Sequence, residues 1–277
     1  MARLGSPVKF KNNFLMKRFF IALQFLTILP VAKDMTVNET DIARSSSVFV
    51  LVGLIQGILL LAVDYTAVRI FQHDLVIGII LLVLVLSNGG FHLDGLADTF
   101  DATAAKGDKQ TKLSVMKDGS IGPVGVMALF FALLLKFLAL KNLSSFSLFT
   151  FCSSLILMPA FSKWAMVTSM FHGKPARENG LGKIFIGKVG FREMVVSTFV
   201  LLLSCITLQV FFDHSLFFAR YIFYAISAIF IYLLCRISVK FFSRQFGGLT
   251  GDTLGAISEI TEIIFLFMVI AWSRFSI

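Results

Sequence analysis

Long apolar runs, separated by short charged connections, set the plan of this chain. A helix that crosses a bilayer needs about 20 mostly apolar residues. Seven runs meet that need, near 45–70, 75–93, 121–140, 146–168, 193–212, 217–238 and 253–273. They predict an all-α, polytopic integral membrane helix bundle that forms one membrane domain over 1–277, with its transmembrane bundle at 45–273. An earlier segment, FLMKRFFIALQFLTILPV (14–31), carries Lys17 and Arg18 at its start and ends near Pro30. It reads as an amphipathic helix lying in the membrane interface rather than as an eighth span. No internal repeat or low-complexity tract interrupts this order.

Composition removes the soluble alternatives. Hydrophobic residues make up 57% of the 277, 32 of them phenylalanine, and mean hydropathy is +0.87, more apolar surface than a soluble domain of this size could hide. A net charge of +9 invites a nucleic-acid reading, but no basic cluster is interleaved with exposed aromatics. The charge is topological instead. If segments 1–44, 94–120, 170–192 and 236–252 face the cytoplasm, that side holds 19 Lys and Arg against 4 on the other. This bias fits the positive-inside rule and predicts a multi-pass protein with those segments on the cytoplasmic side. The outward loops, FQHD, KNLSS and DHSL, are minimal, so the active face is expected to be cytoplasmic. Cys152, Cys205 and Cys235 lie inside apolar runs and form no CxxC pair, so they read as small buried hydrophobes. The amino terminus has no small-residue cleavage site after its apolar run, and a removed signal peptide is not expected.

Polar chemistry gathers in the cytoplasmic connections. If the second span continues as a helix past Gly90, Asp94, Asp98 and Asp101 fall at i, i+4 and i+7, within about 60° of one another around the axis. Three carboxylates on one face repel unless a cation neutralises them. Oxygen-only ligands favour Mg²⁺, or Mn²⁺ in its place, over zinc. Mere exposure is a costly explanation, because acids at a helix C-terminus oppose the macrodipole. His92 reads more readily as an interfacial hydrogen-bonding anchor than as a ligand. Lys117 and Asp118 precede the Gly/Pro-rich start of the third span, which is either an anion cradle or an ordinary turn. Arg177 sits in PARENGLG, where its fork suits phosphate, whereas Lys174, Lys183 and Lys188 could be plain membrane-flanking charge. Asp252, Glu259 and Glu262 share about a quarter turn of the last span. Acids at that depth cost about 2.5–3.5 kcal/mol each on insertion scales and are functional by default, unless Lys163 pairs with them. Together these groups suit a Mg²⁺-bound diphosphate with a bulky or membrane-associated substituent.

Five segments in order, ALQFLTILPV (22–31), GGFHLDGLADTFD (89–101), MKDGSIGPVG (116–125), PARENGLG (175–182) and GLTGDTLGAISEITE (248–262), closely resemble the cobalamin-5′-phosphate synthase family, also called adenosylcobinamide-GDP ribazoletransferase. The resemblance covers about 19–265. It implies an inner-membrane, Mg²⁺-dependent enzyme that joins adenosylcobinamide-GDP to α-ribazole or its 5′-phosphate and releases GMP. Contact with other cobalamin-assembly enzymes and a homo-oligomer are both compatible with it; nucleic acid is not expected. Carried onto this chain, the family's motifs assign metal binding to Asp94, Asp98, Asp101 and Asp252, with Asp98 or Asp101 as general base. Substrate contacts fall on Arg44, Lys117, Asp118, Lys174, Arg177, Asn179, Thr250, Glu259 and Glu262. The chain departs from the family at Asp118-Gly119-Ser120, where many members read Asp-Ser-Arg; Lys174 or Arg44 would then replace that arginine. Two alternatives remain weaker. A CDP-alcohol phosphotransferase would begin DGxxAR, whereas this chain reads DGLADT, without the arginine, and no later GxxxDxxxD follows. A cation- or proton-coupled secondary transporter would show inverted repeats and broken helices at the midplane.

Overall fold

In lipid a backbone N–H has no water to turn to, so each apolar run must pair its own amides and coil into a helix. The computed structural model describes residues 14–31, 37–177, 181–212 and 218–275. The helices are α1 (Phe14–Leu26), α2 (Glu39–Ser45), α3 (Phe49–Ala67), α4 (His73–Ser87), α5 (Phe91–Ala104) and α6 (Lys109–Val115). They continue with α7 (Pro123–Leu143), α8 (Leu148–His172), α9 (Leu181–Phe185), α10 (Phe191–Phe212), α11 (Phe218–Phe246) and α12 (Gly251–Phe275). A single tight turn at Ser46–Val48 joins α2 to α3, so the first span begins near Glu39. Among the described residues six helices are long and apolar enough to cross a membrane, or seven if α4 and α5 count as one bent span.

The second span departs from expectation. It does not continue past Gly90: Gly89 and Gly90 take φ of 65° and 74°, and α5 leaves at 85° to α4. Those angles are cheap only for glycine, and the Asn88 side chain accepts the Gly90 N–H at 3.1 Å to hold the bend. The expected boundary at 93 therefore moves back to Ser87, and the aspartates belong to a separate helix lying across the ends of its neighbours. Asp94 stands in that helix's first turn, where the macrodipole favours it, the reverse of the expected C-terminal placement.

α1 has 13 residues, about 20 Å, too short to span. It buries Ile21, Ala22 and Leu26 while Phe14 remains exposed, as an interfacial helix should. Its trailing segment is tied to α4, because Ile28 N–H donates to the Ser87 carbonyl at 3.1 Å.

α8 is the axis of the bundle, buried along nearly its whole length from Ser153 to Met170. α3 approaches it through Gly53 and Gly57. A Cβ on Gly53 would sit 2.6 Å from the Pro159 carbonyl oxygen, and one on Gly57 2.5 Å from the Ile156 Cα. Small residues four apart let two backbones touch, which supplies dispersion contact where lipid offers no hydrophobic drive. Outward, Phe130 on α7, Phe199 on α10 and Ile229 on α11 stay exposed, the apolar surface that lipid covers.

The bundle has two unlike ends. On one, Lys141 pairs with Asp74 at 2.6 Å and the connections are short. On the other, α5 and α6, the loop after α8 and the loop before α12 meet, and all the chemistry follows from that meeting.

Candidate active site

A cavity of about 300 Å³ opens at this second end, lined by Phe25 of α1, Phe91 and His92 of α5, Arg177, Lys183 of α9, and Leu249 through Asp252. Its floor is built by two loops joined backbone to backbone. The Lys174 carbonyl accepts the Leu249 N–H at 2.7 Å, and Ala176 N–H donates to the Leu249 carbonyl at 2.8 Å. Only glycine fits at 248, since a Cβ there would lie 2.3 Å from the Lys174 carbonyl oxygen. Thr250 then caps α12. Its hydroxyl oxygen accepts the Thr253 N–H at 3.2 Å, and the Thr253 hydroxyl oxygen accepts the Thr250 N–H at 2.9 Å. This reciprocal cap leaves the first turn of α12, with its partial positive charge, at the cavity wall. No atom lies within 4 Å of where a Gly251 Cβ would be, so a ligand can approach that backbone.

α5 docks against the same turn. A Cβ on Gly95 would stand 2.9 Å from the Asp252 Cα and 2.7 Å from its carbonyl oxygen, so the two helices touch at this glycine. The contact brings exposed Asp94 and half-buried Asp98 beside Asp252. Their crowding is felt electrostatically. Partial burial and the charges of Asp94, Asp252 and Asp101 push the Asp98 carboxyl up to about 6, against the opposing pull of Arg177. Arg177 is anchored by a 2.9 Å hydrogen bond from Nη2 to the Leu113 carbonyl, and its Nη1 stands 3.8 Å from the Asp252 carboxylate. Its Nε is buried with no hydrogen-bond partner among the described residues.

Several expected site residues are placed elsewhere. Asp101 is on the aspartate helix, but its two oxygens accept the N–H groups of Gly122 at 2.7 Å and Gly125 at 2.8 Å. It caps α7, so its assignment as metal ligand or base gives way to a structural one. The expected anion cradle at the start of the third span is filled by the chain's own carboxylate. Lys117 and Asp118 are exposed in that loop, where Asp118 accepts the Ser120 hydroxyl at 2.9 Å. Arg44 on α2 and Lys174 are exposed too, and neither they nor Lys117 and Asp118 line the cavity. Asn179 lies outside the described residues. Thr250 lines the cavity while serving as the α12 cap.

Glu259 and Glu262 require correction as substrate contacts. Both are buried inside the bundle, each 2.5 Å from the ammonium of Lys136 on α7. The partner is therefore Lys136, not Lys163. Lys163, fully buried on α8, instead meets the His92 ring at 3.3 Å and the hydroxyls of Ser162 and Ser258 at 3.4 Å each. Among the cavity walls, the reading of the residues singled out neither Phe25 nor Phe91, and it took His92 for an interfacial anchor. For Phe25 the signal was its place in ALQFLTILPV; Lys183 was absorbed into membrane-flanking charge.

The donor set can be tested against a divalent cation. Asp94, Asp98 and Asp252 supply only carboxylate oxygens, and the raised Asp98 shows positive charge in short supply. Among the described residues no three carboxylate, imidazole or thiolate groups converge closely enough to hold a metal alone. Such a set fits Mg²⁺, which keeps waters and takes ligands from substrate phosphates.

Comparison with known proteins gives one consistent answer. The family model described as cobalamin-5-phosphate synthase matches residues 18–270. The adenosylcobinamide-GDP ribazoletransferase of Thermodesulfovibrio yellowstonii is 40% identical over 261 residues, covering 91% of this chain and 95% of that protein. Proteins of the same name from Geotalea daltonii and Thermoanaerobacter sp. are 35% and 33% identical, each over 93% of this chain and 98% of the relative. No solved structure matches.

Proposed function

The chain belongs to the cobalamin-5-phosphate synthase family, and from that premise we propose that it is an adenosylcobinamide-GDP ribazoletransferase of cobalamin biosynthesis. It joins adenosylcobinamide-GDP to α-ribazole, or its 5′-phosphate, and releases GMP. The observation that carries the assignment is the meeting of Asp252 and Arg177, which line the cavity, with Asp94 and Asp98 of α5 beside them at the start of α12. A diphosphate has the charge and the acceptor oxygens that such a place lacks.

The reaction makes one P–O bond and breaks another. A ribose hydroxyl of the acceptor attacks the phosphate attached to cobinamide, the anhydride bond opens, and its electron pair leaves with GMP. Arg177, whose side chain lines the cavity, and the first-turn amides of α12 hold the phosphate oxygens. Lys183, which also lines the cavity, adds a positive charge. Asp98 takes the hydroxyl proton: its carboxyl, pushed up to about 6, is the best matched to accept a proton near neutral pH. Asp94 and Asp252 would hold Mg²⁺ with Asp98 beside them, and when bound the ion neutralises charge on the phosphate oxygens. Phe25 and Phe91 give the cavity an apolar side suited to excluding water. The basic bias of the loops at this end supports a cytoplasmic active face in the inner membrane.

Purified protein in detergent, given Mg²⁺, adenosylcobinamide-GDP and α-ribazole, is expected to release GMP in step with acceptor consumed. Removing the metal with a chelator should stop release, and Mg²⁺ or Mn²⁺ should restore it. Absence of GMP from the complete mixture would overturn the reading, and GMP formed equally without acceptor would make the protein a hydrolase.

A further inference from the structure

We propose that His92 is a substrate-contacting hydrogen-bond donor of this site, held in its neutral Nε2–H form by the buried Lys163. The inference rests on the diphosphate reading of the cavity, and it concerns a residue for which the reaction above has no use. His92 is only 6% exposed, yet it is one of the residues that line the cavity. Three side chains meet the ring, and all do so at Nδ1: Lys163 Nζ at 3.3 Å, Asn88 Nδ2 at 3.4 Å and Ser258 Oγ at 3.5 Å.

The first two of these leave little freedom. An ammonium has three N–H groups and no lone pair, and an amide nitrogen likewise only donates. Asn88 cannot be turned to offer its oxygen instead, because that oxygen accepts the Gly90 N–H at 3.1 Å. Lys163 directs its other protons at the Ser162 and Ser258 hydroxyls, so its third goes to the imidazole. Nδ1 must therefore present a lone pair. A proton there would set N–H against N–H beside a buried positive charge, which excludes the imidazolium and the Nδ1–H tautomer alike. The single ring proton is left on Nε2, on the side of the ring that the three contacts leave free.

What would take this proton is an anionic oxygen. The cavity already gathers Arg177, Lys183 and the α12 amides, and it adds one carboxylate of its own, Asp252, which Arg177 faces at 3.8 Å. A fixed, uncharged donor complements these cations: it binds a phosphate oxygen without moving a proton to it, and its direction is set by a lysine on another helix. Lys163 is then a positioning residue, acting only through His92, which accounts for a fully buried cation on the axis of the bundle.

Nitrogen-15 NMR of histidine-labelled protein reads the tautomer directly, with His92→Gln identifying the resonances. The expected pattern has Nε2 protonated and Nδ1 bare, and GDP with Mg²⁺ shifts the Nε2 signal. A protonated Nδ1, or an Nε2 signal that GDP leaves in place because Asp252 already accepts the proton, would overturn the proposal. Kinetics give the second arm. His92→Gln keeps an amide N–H near the Nε2 position and should stay within a few-fold of wild type in kcat/KM for GMP release. His92→Leu should lose on the order of 100-fold, the scale of removing one preorganised donor. Equal losses in both variants would assign His92 to packing. Wild-type protein that binds no GDP and releases no GMP would fail the function itself, while the tautomer pattern would still report on the Lys163–His92 pair.

Discussion

Replacing Asp98 by asparagine is expected to lower GMP release by at least about 10³-fold, within the range of a lost general base, and to leave the protein as stable as before or more so. The two effects share one cause. Asp98 is half-buried among Asp94, Asp252 and Asp101, and its carboxyl is pushed up to about 6 from an ordinary value of 3.8. A carboxyl raised on folding is less comfortable ionised in the folded protein than in the unfolded chain. Its penalty is absent below 3.8, grows between 3.8 and about 6, and is fully present at neutral pH. Asparagine matches the shape without the charge, so it removes the penalty together with the proton acceptor. Thermal unfolding in detergent beside the GMP assay separates this from simple misfolding. Retention of a tenth of the activity would remove Asp98 from the chemistry. Asp101→Asn should contrast with it, because that side chain caps α7 and its loss falls on stability first.

Lys136→Met is expected to give the largest loss of folded protein. Two glutamates on α12 share this one ammonium, and removing it leaves them buried and uncompensated. Breaking a buried ion pair from one side costs about 3–5 kcal/mol, a large share of the roughly 5–15 kcal/mol that holds an ordinary domain folded. The remedy follows from the charges. Lys136, Lys163, Glu259 and Glu262 sum to zero inside the bundle, and Lys163 is within electrostatic reach of Glu262. Lys136→Met combined with Glu259→Gln restores that balance, so it should recover a monodisperse peak on size exclusion and most of the activity. A double variant that folds but releases no GMP would return these acids to the reaction.

The helix plan was legible because apolar run length and loop charge are local properties. They located six crossings and the bent α4–α5 pair, although the first span starts six residues earlier than expected, near Glu39, and α11 runs eight residues further, to Phe246. That bend was visible only as Asn88-Gly89-Gly90; apolar residues on its near side and Phe91, Leu93 and Leu96 beyond it made a continuous helix equally consistent. Spacing alone placed Asp94 and Asp98 on one face, and PARENGLG and GLTGD gave the opposite wall. What could not be read was which partner each polar group meets. Depth favoured the wrong lysine: Glu259 stands about 12 Å into its helix and Lys163 about 14 Å from the same end, while Lys136 is about 20 Å along. Lys163 nonetheless faces α5, and its rotation about the α8 axis, which sequence does not fix, gave the glutamates to Lys136. Asp101 was missed for the same reason, since its partners are backbone amides 21 and 24 residues away.

The centre of the mechanism is that carboxylates from α5 and α12 share one cation beside Arg177. Diffraction from crystals grown with Mn²⁺ and GDP, recorded at the manganese absorption edge, locates that ion without reference to activity. An anomalous peak among Asp94, Asp98 and Asp252, with the diphosphate against Arg177 and the α12 amides, is the expected result. A peak at Glu259 and Glu262, or a nucleotide bound away from the α5–α12 junction, would contradict it.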